Sequence, residues 1–254
     1  MRLGVSEPNP RQHQLTWTGA HRAHIALEEL KIPFEEVIID LDKPRTPEYL
    51  KVNPRGLVPA LSFNGEIIIE SGIVAQFLAD AYPSHLVPAS DAPGGALRRA
   101  RIALFVDAFT SKFNSPLFGL YRATAEEEIN GIVEKAVAGL VSEVEPLLAD
   151  ASPFFGGSDK LTLAEVRKTH VLIDNSTAAD MVQVLTGSFV IRLKGLTKAE
   201  IYPKALWAGI EEKAPNFVKW VEAVSVHPSV TSIYDEEAII AGTKARIAKL
   251  KAAA

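Results

Sequence analysis

The stretch 47–83, PEYLKVNPRGLVPALSFNGEIIIESGIVAQFLADAYP, decides how this chain folds. Within it Asn64-Gly65 separates two apolar runs, and this dipeptide is a strong short-range sign of a β-hairpin. We therefore predict strands over Val58–Phe63 and Glu66–Ile69. Helices are predicted on either side of the hairpin, over Thr46–Val52 and Ser71–Tyr82. The stretch is typical of a small α/β unit.

The residues before this stretch extend the α/β pattern toward the N-terminus. Apolar positions at helical spacing predict a helix over Ala20–Ile32, and Pro33 ends it. Strands are predicted over Gln14–Thr18 and Phe34–Leu41, where apolar residues alternate or cluster. Residues 1–12 have no periodicity and are expected to form a flexible tail.

The composition changes after the hairpin unit. Residues 84–95 are rich in Pro and Gly, which indicates a linker. Beyond it the pattern is helical, over Ala96–Leu120, Glu126–Leu148, Gly187–Leu196 and Asn216–Val226. We therefore predict an α/β domain over 13–83, a linker over 84–95 and an all-α domain over 96–254.

Composition excludes several function classes. The 254 residues include no cysteine, which removes disulfides, zinc-thiolate sites and cysteine nucleophiles. His21 and His24 have no third ligand nearby in the sequence, so no metal site is predicted. The net charge of −4 argues against a nucleic-acid binder. Without a membrane-length apolar run or a signal peptide, we expect a soluble cytoplasmic protein.

Two short motifs indicate a site for a small peptide. A cis Val58-Pro59 bond would turn the backbone of Val58 toward an extended ligand. Ser71 is expected to be the N-cap of a helix, where free N–H groups bind a carboxylate, and Glu70 beside it can hold an ammonium group. Together they would recognise an amino-acid head group and a peptide backbone.

The sequence resembles the glutathione S-transferase family over nearly its whole length. The resemblance is carried by IALEELKIPFEEV (25–37), PEYLKVNPRGLVPAL (47–61), ESGIVAQFLADAYP (70–83) and PNFVKWVEAVSVHPSV (215–230). It implies a thioredoxin-like N-terminal domain that binds glutathione as a cosubstrate. It also implies an all-helical domain that supplies the surface for the second substrate.

The resemblance assigns roles to individual residues. It implies that the backbone of Val58 contacts the cysteinyl part of glutathione and that Pro59 is the cis-proline. It implies that Glu70 and Ser71 bind the γ-glutamyl head. The candidates for the glycyl carboxylate are the basic residues of the loop 42–47, namely Lys43 and Arg45.

The catalytic hydroxyl is assigned less directly. Counting back from Arg22, Thr18 falls where serine-type members carry their hydroxyl, and Trp17 stands where cysteine-type members carry a thiol. A hydroxyl donor near a helix N-terminus favours the thiolate of glutathione over the thiol. Thr16 is the alternative donor, and a purely capping role for Thr18 is the simpler interpretation.

Two classes of function remain open. The first is an enzyme that activates glutathione for attack on a small hydrophobic electrophile. The second is a binding or regulatory protein with little or no catalysis, a view that Leu57 favours because many family members have Gln or Lys there. Phe113, Phe118 and Tyr121 are candidates for the second-substrate pocket, although ordinary core positions fit them equally. The resemblance also implies a homodimer.

Residues 166–183, VRKTHVLIDNSTAADMVQ, interrupt an expected helix. Thr162 and Glu165 form a capping box, yet the apolar helix VLTGSFVIRL starts only at Val184. Removing these 18 residues gives TLAEVLTGSFVIRL, one continuous helical pattern. Because valine codons begin with GT and Gln183 can be encoded by CAG, we hypothesise a retained intron in a eukaryotic gene, such as a fungal one. A genuine family-specific loop is the alternative.

Overall fold

The computed structural model describes residues 20–40, 43–166, 186–232 and 234–252. The first part holds α1 (His21–Leu30), α2 (Pro47–Val52), β1 (Ala60–Phe63), β2 (Glu66–Ile69) and α3 (Ser71–Ala81). The second part holds α4 (Gly95–Ala108), α5 (Ser115–Leu117), α6 (Glu126–Gly139), α7 (Leu163–Val166), α8 (Thr186–Lys198), α9 (Lys204–Lys213), α10 (Pro215–Ser225), α11 (Pro228–Thr231) and α12 (Glu236–Ala252).

The predicted hairpin is confirmed. β1 and β2 pair antiparallel, with Ala60 opposite Ile69 and Phe63 opposite Glu66. Asn64 and Gly65 have φ angles of 51° and 89°, the positive values that a tight two-residue turn requires. The hairpin leads directly into α3, which packs against α1.

The predicted strand over Phe34–Leu41 is wrong for its described part. Residues 34–40 form no strand, and Val37 and Ile38 are about half exposed, at 45% and 46%. A strand is defined by hydrogen bonds to a neighbour, and no described segment pairs with residues 34–40. The strand predicted over Gln14–Thr18 and the tail over 1–12 lie outside the described residues.

Two long helices of the second part, α4 and α6, are followed by a change of pitch before a proline. Residues Phe109–Asn114 and Leu140–Val144 are π-helical, and Pro116 and Pro146 follow them. A proline donates no hydrogen bond to the carbonyl four residues earlier, which is Lys112 O for Pro116. Gly139 packs against that carbonyl so closely that a Cβ there would clash with it.

Those two predicted helices are therefore each divided into shorter elements. After the π-helical turns the chain continues as α5 and a 3₁₀ turn over Phe118–Tyr121 in the first case, and as a 3₁₀ turn over Glu145–Leu148 in the second. Helical periodicity predicts that a segment is helical, but it does not resolve a change of pitch within it.

The core of the second part is aromatic and centres on α4, α8 and α10. The rings of Phe105, Phe109, Phe217 and Trp220 lie in mutual contact, with centroids 5.4–6.2 Å apart for Trp220 and its neighbours. All four side chains are fully buried. The helix α9 was not predicted from the sequence, and α10 agrees with the prediction over Asn216–Val226 to within one residue.

The predicted capping box at the start of α7 is confirmed. Thr162 Oγ1 accepts a hydrogen bond from Ala164 N at 3.1 Å, and Thr162 N donates to Glu165 Oε2 at 2.7 Å. Val166, four positions after the N-cap, is fully buried, as is Leu161. Residues 167–183 of the suspected insertion lie outside the described residues, so that hypothesis stays a prediction.

The described residues contain neither a membrane-spanning helix nor a cluster of metal ligands. None of the helices they form is long and apolar enough to span a membrane. Nowhere in the same ranges do three or more His, Cys, Asp or Glu side chains converge as metal ligands do.

Candidate functional site

The loop before β1 is held rigidly by side chains, and it presents Val58. The Val58–Pro59 bond is cis, as the sequence predicts. The carbonyl of Leu57 accepts hydrogen bonds from Tyr49 Oη at 2.5 Å and from Asn53 Nδ2 at 2.7 Å. Within the described residues no backbone hydrogen bond reaches Val58. Its N–H and C=O are therefore available to an extended ligand.

Glu70 and Ser71 lie where β2 passes into α3. Glu70 has φ 71° and ψ 112°, an unusual conformation for a residue with a side chain, and such positions cluster at binding sites. Both side chains are buried. The first intrahelical bond runs from Val74 N to Glu70 O, so the first amides of α3 are free of intrahelical acceptors.

The expectation that Ser71 is the N-cap is wrong. Glu70 occupies the N-cap position and Ser71 is the first helical residue. The helix begins one residue earlier than expected, because the backbone turns at the positive φ of Glu70. The Oγ of Ser71 is fully buried and has no hydrogen-bond partner among the described residues. A buried hydroxyl without a partner is costly, which indicates that a ligand completes it.

Arg55 contacts the candidate site, and sequence reasoning did not place it there. Its Nη1 donates to Glu70 Oε1 at 2.8 Å, across the turn between α2 and β1. The Arg55 side chain is mostly exposed, whereas the Glu70 side chain is buried. Arg55 thereby orients the carboxylate from the solvent side. The only sequence signal was the turn Asn53–Gly56 itself, which does not reveal where its arginine points.

The two predicted basic residues of the loop before α2 behave differently. Arg45 donates from Nε to Gly56 O at 2.8 Å and from Nη1 to Lys43 O at 2.5 Å and Asp40 O at 3.0 Å. It therefore fastens the loop to the turn before Leu57. Lys43 is exposed and pairs with Asp40 at 3.0 Å.

The predicted catalytic hydroxyls, Thr18 and Thr16, lie outside the described residues. The helix that follows them is described, and its N-cap is Ala20, whose methyl group accepts no hydrogen bond. The first residues of α1 are buried, including Arg22. Burial lowers the pKa of Arg22, and the nearby charge of Glu70 opposes this effect. The start of α1 therefore lies close to the Glu70 carboxylate.

The three predicted pocket aromatics separate into core and surface. Phe113 is fully buried against Phe109, Phe189 and Phe217, so among the described residues it packs as part of the aromatic core. Its place in a second-substrate pocket stays a prediction. Phe118 and Tyr121 are half-buried and contact each other edge to face.

Comparison with known proteins finds one family. Residues 19–81 match the model of the glutathione S-transferase N-terminal domain. The chain is 30% identical over 156 residues to maleylacetoacetate isomerase of Pseudomonas aeruginosa, which spans 59% of this chain and 73% of that protein.

Solved structures give the same result. Glutathione transferase Omega 1C from Trametes versicolor is 26% identical with a TM-score of 0.68, over 91% of this chain and 92% of that one. Rice GST1, solved in complex with glutathione, is 22% identical with a TM-score of 0.66, over 90% of this chain and 91% of that one. These likenesses confirm the predicted fold class, a thioredoxin-like N-terminal domain followed by a helical domain.

Proposed function

The chain belongs to the glutathione S-transferase family, and on this premise we propose that it activates the thiol of glutathione for attack on a small electrophile. Its relatives include transferases and an isomerase, which together support a glutathione-dependent transferase or isomerase. The observation that carries the glutathione site is the buried Ser71 Oγ, which has no hydrogen-bond partner in the part of the chain that the structure describes and adjoins the buried side chain of Glu70.

Each part of glutathione has a matching group at this site. The ammonium of the γ-glutamyl head pairs with Glu70, and its carboxylate accepts from Ser71 Oγ and the first amides of α3. The cysteinyl backbone pairs with the free N–H and C=O of Val58. The glutathione bound in the rice structure supports this assignment by analogy of fold. Lys43 remains a candidate for the glycyl carboxylate, whereas Arg45 acts by holding the loop.

The chemical step is a nucleophilic attack by sulfur. A free thiol has a pKa of about 8.5, so a donor to the sulfur is needed for much thiolate at neutral pH. We assign this donor to Thr18, with Thr16 as the alternative. The thiol proton leaves to solvent, the sulfur lone pair forms the new C–S bond, and the leaving group departs with its electron pair.

The first experiment tests binding. Calorimetric titration with glutathione is expected to show binding to the full chain and weaker binding to the Ser71→Ala and Glu70→Gln variants. The matched control is Thr162→Ala, since Thr162 caps a helix elsewhere in the fold. Glutathione affinity that survives both site variants would place the ligand elsewhere.

The second experiment tests thiol activation. Thr18→Val keeps the shape of the side chain and removes the donor, so the pKa of bound glutathione should rise and the conjugation of chlorodinitrobenzene at neutral pH should slow. Thiolate absorbance is followed during a pH titration of the complex, with Thr16→Val as the parallel variant. If only Thr16→Val shifts the titration, Thr16 is the donor.

A protein that binds glutathione without catalysis is the second candidate function. Leu57 favours it, because an apolar side chain next to the proline corner contributes no polar contact to the ligand. Tight glutathione binding with no conjugation and no isomerisation of a cis-alkene substrate would select this function. Isomerase activity is recognised by turnover that consumes no glutathione.

We also propose that the chain forms a homodimer. Ile73 on α3 and Leu97 and Leu104 on α4 expose 53%, 68% and 55% of their surface. These exposed aliphatic side chains are candidates for the interface of the homodimer that the family resemblance implies. Light scattering on the purified protein is expected to give twice the mass of the chain, and a mass of 27.5 kDa would contradict it.

A further inference from the structure

Arg192 lies on α8 and is almost completely buried, with only 8% of its surface exposed. Its Nε is fully buried and has no hydrogen-bond partner among the described residues. Among the residues that the structure describes, no carboxylate forms an ion pair with it. A buried guanidinium is strongly unfavourable unless a partner compensates its charge. The helix therefore holds a cation for which the described protein supplies no anion.

Three tyrosines lie near this guanidinium, and none of them neutralises it. Tyr121, Tyr202 and Tyr234 all lie close enough to act on its charge. Burial raises the pKa of Tyr234 to about 12 and raises the pKa values of Tyr121 and Tyr202 as well. The phenols are therefore neutral at physiological pH. Burial also lowers the pKa of Arg192 to about 10, which leaves it cationic at pH 7.

The tyrosines add donors to the cation. Tyr121 Oη and Tyr202 Oη lie 3.3 Å apart, with their rings stacked. In this hydrogen bond one hydroxyl donates its proton and the other accepts it. The accepting hydroxyl can therefore donate its own proton to another group. Tyr121 and Tyr234 are half-buried, which connects the cluster with the surface. A guanidinium beside a phenolic donor matches a carboxylate well.

The cluster lies near the start of α1. The charge of Arg192 acts on His21 and Arg22, the first two residues of α1, and the proposed sulfur donors immediately precede this helix. His21 is neutral at pH 7, since burial, above all, lowers its pKa to about 3. A substrate that reaches the sulfur could therefore extend an acidic group to Arg192.

We propose that Arg192 and Tyr121 form a carboxylate-binding subsite, so that the electrophile of this protein is a small organic acid. This inference rests on the proposed function, because it places the subsite in the second-substrate pocket. It replaces the sequence-based expectation of a purely hydrophobic electrophile.

A pair of product conjugates tests the subsite. Dinitrophenyl-glutathione and its carboxylated counterpart, carboxydinitrophenyl-glutathione, differ only in one carboxylate, and calorimetry measures the affinity of each for the full chain. The wild type is expected to bind the carboxylated conjugate more tightly. Arg192→Met should weaken that conjugate by about 30-fold or more, the usual effect of truncating one partner of a buried charge pair, and leave the other unchanged.

Two further variants keep the test decisive. Tyr121→Phe keeps the ring and removes only the hydroxyl, so it should weaken only the carboxylated conjugate, by about 10-fold. Lys194→Met is the matched control, because Lys194 carries the same charge on the same helix but lies over the Trp207 ring. It should change neither affinity.

The outcomes separate the two proposals. If the wild type binds both conjugates equally, or if Arg192→Met and Tyr121→Phe preserve the preference, the subsite is overturned and the glutathione site stands. If neither conjugate nor glutathione binds, the proposed function itself fails, and the subsite fails with it.

Discussion

At the scale of single residues, Ser71 separates ligand binding from stability. Because Ser71 follows the N-cap instead of occupying it, Ser71→Ala removes no capping bond. We expect its free energy of unfolding to stay within about 0.5 kcal/mol of the wild type. The glutathione Kd should rise about 10-fold, because a hydrogen bond to a charged carboxylate is lost. Urea unfolding and calorimetry measure the two quantities.

Thr162→Ala provides the opposite pattern in the same experiment. Thr162 Oγ1 caps α7 and also donates to Glu165 Oε2 at 2.7 Å. Its replacement should cost about 1 kcal/mol of stability and leave the glutathione Kd unchanged. A loss of stability in Ser71→Ala with unchanged affinity would show that the serine is structural.

At the scale of elements, His21 ties α1 to α11. Its Nε2 donates to Val230 O at 2.8 Å, a contact between residues 209 positions apart. The pKa of His21 is lowered from 6.5 to about 3, chiefly by burial and also by the nearby charge of Arg192. The hydrogen bond to Val230 opposes this shift. The charges of Arg22 and His24 act in the same direction as that of Arg192.

This pKa shift predicts a loss of stability in acid. Between about pH 6.5 and pH 3 the unfolded chain binds a proton at His21 that the folded chain does not. The free energy of unfolding should therefore fall as the pH falls, by at most about 1.4 kcal/mol per pH unit from this group. Urea unfolding across this window should give a shallower slope for His21→Asn, and an identical slope would contradict the assignment.

The capping box of α7 depends on one buried carboxylate. Glu165 Oε1 accepts from Phe155 N at 2.9 Å and from Trp220 Nε1 at 2.8 Å, while Oε2 accepts from Thr162. In Glu165→Gln an NH₂ group would replace one oxygen and face these donors. We expect a loss of about 2–4 kcal/mol in the free energy of unfolding, measured with urea.

Glu145 offers the matched control for that variant. Its carboxylate accepts from Asn216 N at 2.9 Å and Phe217 N at 2.8 Å at the start of α10, but in a less buried place. Water can replace a bond that is lost there, so Glu145→Gln should cost about 1 kcal/mol. If both variants lose the same free energy of unfolding, burial does not determine how much the Glu165 carboxylate stabilises the capping box.

At the scale of the whole molecule, the sequence predicted features that depend on neighbouring residues but not those that depend on distant contacts. The turn at Asn64-Gly65 and the capping box from Thr162 to Glu165 depend on neighbours within a few residues, and both are confirmed. The strand predicted over Phe34–Leu41 needed a distant partner that the sequence does not name. Arg192 gave no signal either, because nothing local shows that a charged residue will be buried.

The candidate site shows the same division. Short motifs identified Val58, Pro59, Glu70 and Ser71, and the structure has the predicted cis Val58–Pro59 bond and buries Glu70 and Ser71 at the start of α3. The ion pair between Arg55 and Glu70 closes only after folding brings α2 and α3 together, so no spacing rule reveals it.

The segment 166–183 leads to a prediction about the whole chain. In the full-length protein Val166 stands four residues after the N-cap of α7 and is fully buried with Leu161. Deleting 166–183 places Val184 at that position, so the same buried side chain is kept and the helix continues into the residues of α8. The glutathione Kd should be unchanged, because no residue of the proposed site lies in the segment.

The deletion variant should be at least as stable as the full-length protein. An insertion of this length adds about 2–3 kcal/mol of closure entropy to the cost of folding when it is unstructured, and the deletion removes any such cost. Urea unfolding of both chains measures the difference, and sequencing of mature transcripts tests the origin as a retained intron. A deletion variant that does not fold, together with uniform retention of the segment in the transcripts, would show that 166–183 is a working part of the fold.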